Sequence, residues 1–193
     1  AGLIVTTVIM GIGVYTQLIP RLNARREEKR VAKAKVAMPR NVGDLFGRQQ
    51  DVQRINVAFE ERPKCVALTG HGGVGKTALA LEYGKLGLAD ETYAGVGMIV
   101  MEGNSFKVDD LNSIATLLGV TYVENPERYI SDVYDAIARR ADRWLIIYDN
   151  VDDEKAQKRV CSQPHWKQEN VDHLITSRLQ NWDRFGKRVE LHV

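Results

Sequence analysis

One glycine-rich segment constrains this chain more than any other feature. It is GHGGVGKT, from Gly70 to Thr77, and it stands between the apolar run CVALT and a helical pattern that begins near Lys76. Glycines let the backbone curl so that successive N–H groups point into one concavity, and the following helix directs the positive end of its dipole there. The spacing G-x4-G-K-[ST] in this context predicts a phosphate-binding loop, or P-loop.

The loop is predicted to bind ATP or ADP together with Mg²⁺. We expect the Lys76 ammonium to bind the β- and γ-phosphates and the Thr77 hydroxyl to be a ligand of Mg²⁺. The alternative is a glycine-rich turn that only caps a helix. The predicted nucleotide contacts of this segment are Gly70, His71, Gly72, Gly73, Val74, Gly75, Lys76, Thr77 and Ala78.

Apolar runs of strand length alternate with helical patterns after residue 40. The runs lack strict alternation, which is typical of strands that are covered on both faces. The pattern predicts a three-layer α/β domain with a mainly parallel five-stranded sheet. The predicted strands are 66–69, 96–101, 144–148, 173–176 and 189–193, and the predicted helices are 50–60, 76–86, 109–118 and 128–140.

A carboxylate at the end of a second strand is the other part of a magnesium site next to a P-loop. The apolar run WLIIYD ends in Asp149, which we predict to bind Mg²⁺ with Thr77. A helix N-cap is the alternative role for Asp149. The next residue, Asn150, has an amide that can orient water but cannot accept its proton, so hydrolysis is expected to be slow. Asp152 or Asp153 is either a base or a solvated residue at a helix start.

The run HLITSR places Arg178 directly after another apolar strand. An arginine at the carboxyl end of a parallel strand would lie where the γ-phosphate binds and could distinguish a triphosphate from a diphosphate. An exposed surface arginine is the alternative that the residue type favours.

The first 40 residues differ in composition from the rest. Residues 1–20 carry no charge, and a helix of that length covers about 30 Å, so they are predicted to form a transmembrane helix. A signal peptide or a helix buried against a neighbour is the alternative. The basic linker 21–40 follows, which favours a nucleotide domain that faces the cytoplasm.

The basic residues are concentrated in one place. Residues 21–36 hold seven basic and two acidic residues, a charge of +5, so the remainder of the chain carries +2 − 5 = −3. A mildly acidic body beside one basic cluster indicates no direct binding of nucleic acid.

Four blocks in sequence order resemble the NB-ARC modules of the signal-transduction ATPases with numerous domains (STAND). They are Phe46-Gly47-Arg48, GHGGVGKTALA, WLIIYDNVDD and LITSRLQNW. The resemblance covers residues 41–193 and implies the strand order 5-1-4-3-2. It also implies that Phe46, Gly47 and Arg48 contact the adenine and ribose side and that Arg178 senses the γ-phosphate.

The resemblance implies a regulatory function in signal transduction. ADP would hold a closed monomer, and ATP would drive assembly of a homo-oligomer, with effector domains in a longer parent protein. The helical ARC part and the winged helix of the family are not recognised in this sequence. The alternative is an ATP-consuming enzyme, either a remodelling ATPase of the AAA+ type or a small-molecule kinase. A GTPase is disfavoured because no Asn-Lys-x-Asp segment occurs, and a nucleotide-independent scaffold is disfavoured by Lys76 and Thr77.

Overall fold

The computed structural model describes residues 35–38, 47–61, 63, 65–163, 166 and 168–192. The chain divides into two units, Ala1–Ala34 and Lys35–Val193, and every described residue belongs to the second. The predicted transmembrane helix at 1–20 and most of the predicted linker lie outside the described residues. Within the ranges given, no helix combines the length and hydropathy that crossing a membrane requires.

Strands and helices alternate along the second unit. Its strands are β1 Lys35–Ala37, β2 Val66–Thr69, β3 Gly95–Glu102, β4 Ser105–Phe106, β5 Trp144–Asp149, β6 Val171–Ser177 and β7 Lys187–Glu190. Its helices are α1 Gln49–Glu60, α2 Lys76–Ala89, α3 Val108–Leu118, α4 Pro126–Ala138 and α5 Glu154–Cys161.

Six strands form a parallel sheet in the order β1-β3-β5-β6-β2-β7, and the short β4 pairs antiparallel with β3. The five predicted strands therefore follow the order 5-1-4-3-2 that the resemblance implied. The prediction of five strands was wrong, because β1 adds a strand at the β3 edge, with Lys35–Ala37 opposite Gly95–Gly97. This strand was missed because it is three residues long and its surroundings read as a charged linker.

The central strand β5 is covered on both faces, as its continuous apolar run predicts. All six of its residues are buried. Trp144, Ile146 and Tyr148 belong to one hydrophobic cluster, and Leu145 and Ile147 belong to the other. Alternate side chains of a strand point to opposite faces of the sheet, so the two clusters are the cores on its two sides.

Two further elements were absent from the sequence prediction. Helix α5 has eight mostly polar residues, and Asp153 starts it by accepting hydrogen bonds from two backbone N–H groups. Strand β4 has two residues. Both are too short for hydrophobic periodicity to indicate them. Strand β7 begins two residues before the predicted start at 189, and Val193 lies outside the described residues.

The register brings the carboxyl ends of the central strands to one edge of the sheet. Thr69 at the end of β2 is opposite Ser177 at the end of β6. In β5, Tyr148 is opposite Ile175 of β6, so Asp149 ends its strand at the same level. Open α/β sheets bind ligands at this edge, and the glycine-rich loop starts there.

Candidate nucleotide-binding site

The glycine-rich loop joins the end of β2 to the first turn of α2. Gly73 and Gly75 have φ angles of +80° and +93°, in the left-handed region that favours glycine. A Cβ atom added at Gly72, Gly73 or Gly75 would meet no atom within 4 Å. The three glycines line one cleft with Lys76 at the start of α2, so an anion can approach the N-terminus of α2.

Gly70 fixes the start of the loop. Its φ is +143°, and an added Cβ would lie 2.7 Å from the carbonyl oxygen of Leu191. The backbone N–H of Leu191 donates to the carbonyl of Thr69 at 2.8 Å. The chain that follows β7 thus packs directly against the entry to the loop, and only glycine fits there.

Lys76 lies over the loop. Its Nζ donates to the carbonyl oxygens of Gly70 at 2.8 Å and His71 at 2.9 Å. The pKa of Lys76 is lowered, mainly by burial. The charge of Asp152 opposes this effect, that of Arg178 adds to it and that of Asp149 opposes it, so the ammonium interacts with all three charged side chains.

Asp149 and Thr77, the two predicted magnesium ligands, are brought together. Asp149 is 5% exposed at the end of β5. The Thr77 hydroxyl donates to Asp149 Oδ1 at 2.7 Å. Hydroxyl and carboxylate oxygens are ligands that Mg²⁺ accepts, and a site with few protein ligands suits an ion that also binds water and phosphate. The described residues contain no cluster of three or more His, Cys, Asp or Glu side chains that could hold a metal. The Thr77 hydroxyl and the Asp149 carboxylate fit the ligand chemistry of Mg²⁺.

Thr176 is a site residue that the sequence analysis missed. Its buried hydroxyl donates to Asp149 Oδ1 at 2.5 Å and accepts from the backbone N–H of Asn150 at 3.0 Å. Asn150 itself has a φ of +63°. Thr176 therefore orients the carboxylate and supports the sharp bend after β5. In the sequence, Thr176 could be recognised only as a polar residue near the end of an apolar strand. Many helix N-caps have the same pattern, so this pattern did not identify it as a site residue.

Arg178 follows β6 and is paired with Asp152. Its backbone N–H donates to Asp152 Oδ1 at 2.7 Å, and its Nε donates to Asp152 Oδ2 at 2.6 Å. Asp153 instead accepts hydrogen bonds from the N–H groups of Lys155 and Ala156, both at 2.8 Å. The two aspartates thus differ in role, because Asp153 caps α5 and Asp152 binds the arginine.

A cleft of about 780 Å³ contains most of the predicted site. Met101 and Gly103, at the end of β3, line it without having been predicted. Its volume is within the range of small-molecule sites. The predicted residues among those that line it are Gly72, Gly73, Gly75, Lys76, Thr77, Ala78, Asn150 and Arg178.

The block predicted to contact adenine and ribose lies beside the loop. Phe46 lies outside the described residues, and Gly47 is exposed. The Arg48 guanidinium donates to the carbonyl oxygen of Val74 at 2.9 Å and to that of His192 at 3.1 Å. In this structure Arg48 therefore binds the backbone of the loop and of the segment after β7.

The NB-ARC domain family matches residues 48–191 of this chain. No curated protein matches this chain.

This chain is similar to several solved structures. CDC6P from Pyrobaculum aerophilum is 14% identical with a TM-score of 0.50, over 79% of this chain and 48% of its own. The ORC1 protein of Aeropyrum pernix, solved in complex with DNA, is 19% identical with a TM-score of 0.54, over 80% and 47%. A STAND protein with a tetratricopeptide repeat sensor from Pyrococcus horikoshii is 18% identical with a TM-score of 0.49, over 80% and 24%. This chain thus spans about half the length of the first two and a quarter of the third.

Proposed function

Since this chain belongs to the NB-ARC family, we propose that it binds ATP and ADP with Mg²⁺ and acts as a nucleotide-dependent switch. The resemblance drawn from the four sequence blocks is confirmed, and so is the function class of a nucleotide-binding regulatory NTPase module. The choice of adenine nucleotides, the slow hydrolysis and the assembly that follows binding are parts of the proposal.

The observation that carries the proposal is the hydrogen bond between Thr77 and Asp149 at a cleft that the loop glycines line. The loop amides and the N-terminus of α2 would bind phosphate oxygens, and Lys76 would move from the loop carbonyls to the phosphates. Thr77 and Asp149 would hold Mg²⁺, which offsets the charge of the phosphates when it is bound. Thr77 and Asp149 already lie together, so in this part of the site binding requires little rearrangement beyond the movement of the Lys76 side chain.

Slow hydrolysis is supported by what the acidic residues near the cleft already bind. Asn150 occupies the position directly after Asp149, and an amide cannot accept a proton from water. Of the two carboxylates that line the cleft, Asp153 caps α5 and Asp152 accepts the backbone N–H of Arg178. A nucleotide that is bound tightly and hydrolysed slowly suits a switch, because the bound state then lasts.

Assembly into a homo-oligomer in the ATP state, with effector domains in a longer parent protein, is the proposed output. The family and the chemistry of the site support it, because the γ-phosphate can make contacts in one state that ADP cannot make in the other. Signal transduction by effector domains is proposed on the same ground.

Location and nucleic-acid binding are also proposed from charge and hydropathy. The uncharged segment 1–20 and the basic cluster behind it support a membrane anchor with the nucleotide domain on the cytoplasmic side. We propose no direct binding of nucleic acid by the folded domain, since the chain outside the basic cluster is mildly acidic.

The test is to measure binding, turnover and mass on the full chain. We expect ATP turnover far below about 1 s⁻¹, the low end of the usual range for enzymes, and we expect ADP to stay bound during gel filtration. The mass measured by light scattering should be larger with a non-hydrolysable ATP analogue than with ADP. Lys76→Ala should abolish the turnover, the retention of ADP and the difference in mass. Rapid turnover, or phosphate transfer to an added acceptor, would favour the ATP-consuming enzyme instead.

A further inference from the structure

We propose that Asp152 is a positioning and specificity-determining residue, which holds the Arg178 side chain until a triphosphate competes for it. The inference rests on the proposed function and names the device that sets its preference for ATP over ADP. Four features carry it: the geometry of the pair, the unequal exposure of its members, their place in the cleft and the different role of the neighbouring Asp153.

Asp152 uses its two carboxylate oxygens for two different parts of Arg178. Oδ1 accepts from the backbone N–H, and Oδ2 accepts from the side-chain Nε. The two bonds can therefore break separately. The backbone bond ties the end of β6 to the turn after β5 and keeps Asp152 in place, while the guanidinium can leave Oδ2 for another anion.

The pair is fixed at the carboxylate and free to move at the arginine. The Asp152 side chain is 20% exposed and the Arg178 side chain 66%. A long, solvated arginine exchanges partners readily, because an exposed ion pair changes an equilibrium by no more than about fivefold. The pair is thus strong enough to position the guanidinium and weak enough to yield to phosphate.

Both residues line the phosphate cleft together with Lys76. A guanidinium forms charge-assisted hydrogen bonds with carboxylates and with phosphates, so Asp152 occupies Arg178 as a γ-phosphate would. ADP has no γ-phosphate and would leave the pair intact. A triphosphate would compete for Arg178, and the cost of breaking the pair lowers its apparent affinity.

The neighbouring acidic residue cannot replace Asp152. Asp153 accepts its two hydrogen bonds from the first turn of α5. Loss of the Asp152 charge therefore leaves Arg178 without the partner that this structure gives it.

The test compares the full chain with Asp152→Asn, in which an amide oxygen still accepts from the Arg178 N–H but the charge is gone. Affinities for ADP and for a non-hydrolysable ATP analogue are measured by calorimetry. We expect the preference for the triphosphate to rise about three- to fivefold, with ADP affinity changed less than about twofold. Glu127→Gln is the matched control, since it breaks an Arg–carboxylate pair with Arg159 outside the cleft, and it should alter neither affinity.

A double-mutant cycle separates this role from simple repulsion between Asp152 and the nucleotide. Arg178→Ala should lose the triphosphate preference, and adding Asp152→Asn to it should change nothing further. The inference would be overturned if Asp152→Asn left the preference for the ATP analogue over ADP unchanged or lowered it. It would also be overturned if Asp152→Asn still raised this preference in the Arg178→Ala background. A wild-type chain that binds neither nucleotide would overturn the proposed function as well, whereas Lys76-dependent binding without the cycle result would overturn the inference alone.

NMR spectroscopy detects the hydrogen bond between Arg178 Nε and Asp152 in the nucleotide-free protein. The ¹⁵Nε–H signal of Arg178 should be protected from exchange with water in wild type, lose that protection in Asp152→Asn, and shift on addition of the ATP analogue but not of ADP. An Nε–H signal that ADP shifts equally would contradict the inference. Asp152→Ser is the second variant, should Asp152→Asn unfold, and its expected results are the same.

Discussion

The guanidinium of Arg48 donates a 2.9 Å hydrogen bond to the carbonyl oxygen of Val74, 26 residues further along the chain and inside the phosphate loop. The same side chain donates to the carbonyl of His192 and pairs with Asp51 in the first turn of α1. One arginine thus joins the start of α1, the loop and the segment after β7. These contacts indicate that Arg48 supports the loop, whatever it contacts on a nucleotide.

Arg48→Ala is expected to weaken ATP and ADP binding about tenfold, because hydrogen bonds from a charged donor contribute about 1.5–3 kcal/mol each. Inorganic tripolyphosphate separates the two possible roles. If Arg48 supports the loop, the affinity for tripolyphosphate falls as much as that for ATP, whereas an adenine contact would leave it unchanged. Arg54→Ala is the control, because the ion pair described for Arg54 is with Asp51, which Arg48 also contacts.

Lys76→Ala is expected to reduce ATP affinity by more than about 100-fold, since it removes a charged donor whose bond to phosphate contributes up to about 3 kcal/mol. A titration with a fluorescent nucleotide measures this. Lys85→Ala removes a lysine from the same helix outside the cleft and should bind as wild type does. Unchanged affinity in Lys76→Ala would refute the assignment of the loop as the phosphate site.

Thr176→Val keeps the side-chain shape and removes the hydroxyl that contacts Asp149 and the Asn150 N–H. We expect a loss of about 1–3 kcal/mol in the free energy of unfolding, since a buried acceptor and a buried donor each lose a partner. The gain in ATP affinity on adding Mg²⁺ should also shrink, because Asp149 is no longer oriented.

Urea unfolding and titrations with Mg²⁺ or EDTA check both effects of Thr176→Val. Thr116→Val is the matched control, because the Thr116 hydroxyl is on the exposed face of α3 and bonds to a backbone carbonyl of its own helix. A Thr176→Val variant as stable and as responsive to Mg²⁺ as this control would contradict the role given to Thr176.

Local signals in the sequence located the loop, the strands β2 and β5 and the end residues Asp149 and Arg178. Each is marked by a short motif or by a continuous apolar run, and the parallel sheet then places the strand ends at one edge. The contacts of Arg48 with Val74 and His192 had no such signal, because they depend on the register of β7 beside β2. The pairing of Arg178 with Asp152 had no local signal either, because it joins residues 26 positions apart that follow the neighbouring strands β6 and β5.

Chain segments that depend on tertiary contacts were also missed. Strand β1 is stabilised by its pairing with the β3 edge and by the burial of Ala37. Helix α5 is stabilised by the Asp153 cap and by the burial of Ala156 and Val160. Neither has the length over which periodicity is informative, so propensity alone gave no reason to expect them.

Gly70→Ala is expected to destabilise the fold by about 1–3 kcal/mol, because its φ is unfavourable for alanine and the added carbon would lie 2.7 Å from the Leu191 carbonyl. Gly72→Ala is the matched control in the same loop, since its Cβ would meet nothing within 4 Å. Thermal unfolding of the two variants compares them directly. Equal midpoints would show that the segment after β7 does not restrict the loop entry.

Asp142 gives the domain a pH dependence whose sign follows from its contacts. The Arg140 side chain donates to both carboxylate oxygens, at 2.8 and 3.0 Å. These bonds are the main reason why the pKa of Asp142 is lowered from 3.8, burial opposes them, and the Trp144 indole N–H adds to the lowering. A lowered pKa means that the carboxylate stabilises the folded state above about pH 4 and that this contribution is lost as the pH falls through the folded-state value.

Asp142→Asn should therefore be less stable than wild type near neutral pH, by no more than about 1 kcal/mol because the pair is half-exposed. The difference should shrink as the pH is lowered past 3.8, the ordinary value for this carboxyl. Urea unfolding across that range measures it, and Arg140→Gln should lose the same pH dependence because it removes the main donor. If the difference in the free energy of unfolding between wild type and Asp142→Asn stayed constant over the whole acidic range in which the protein is folded, the charge of Asp142 would not be its source.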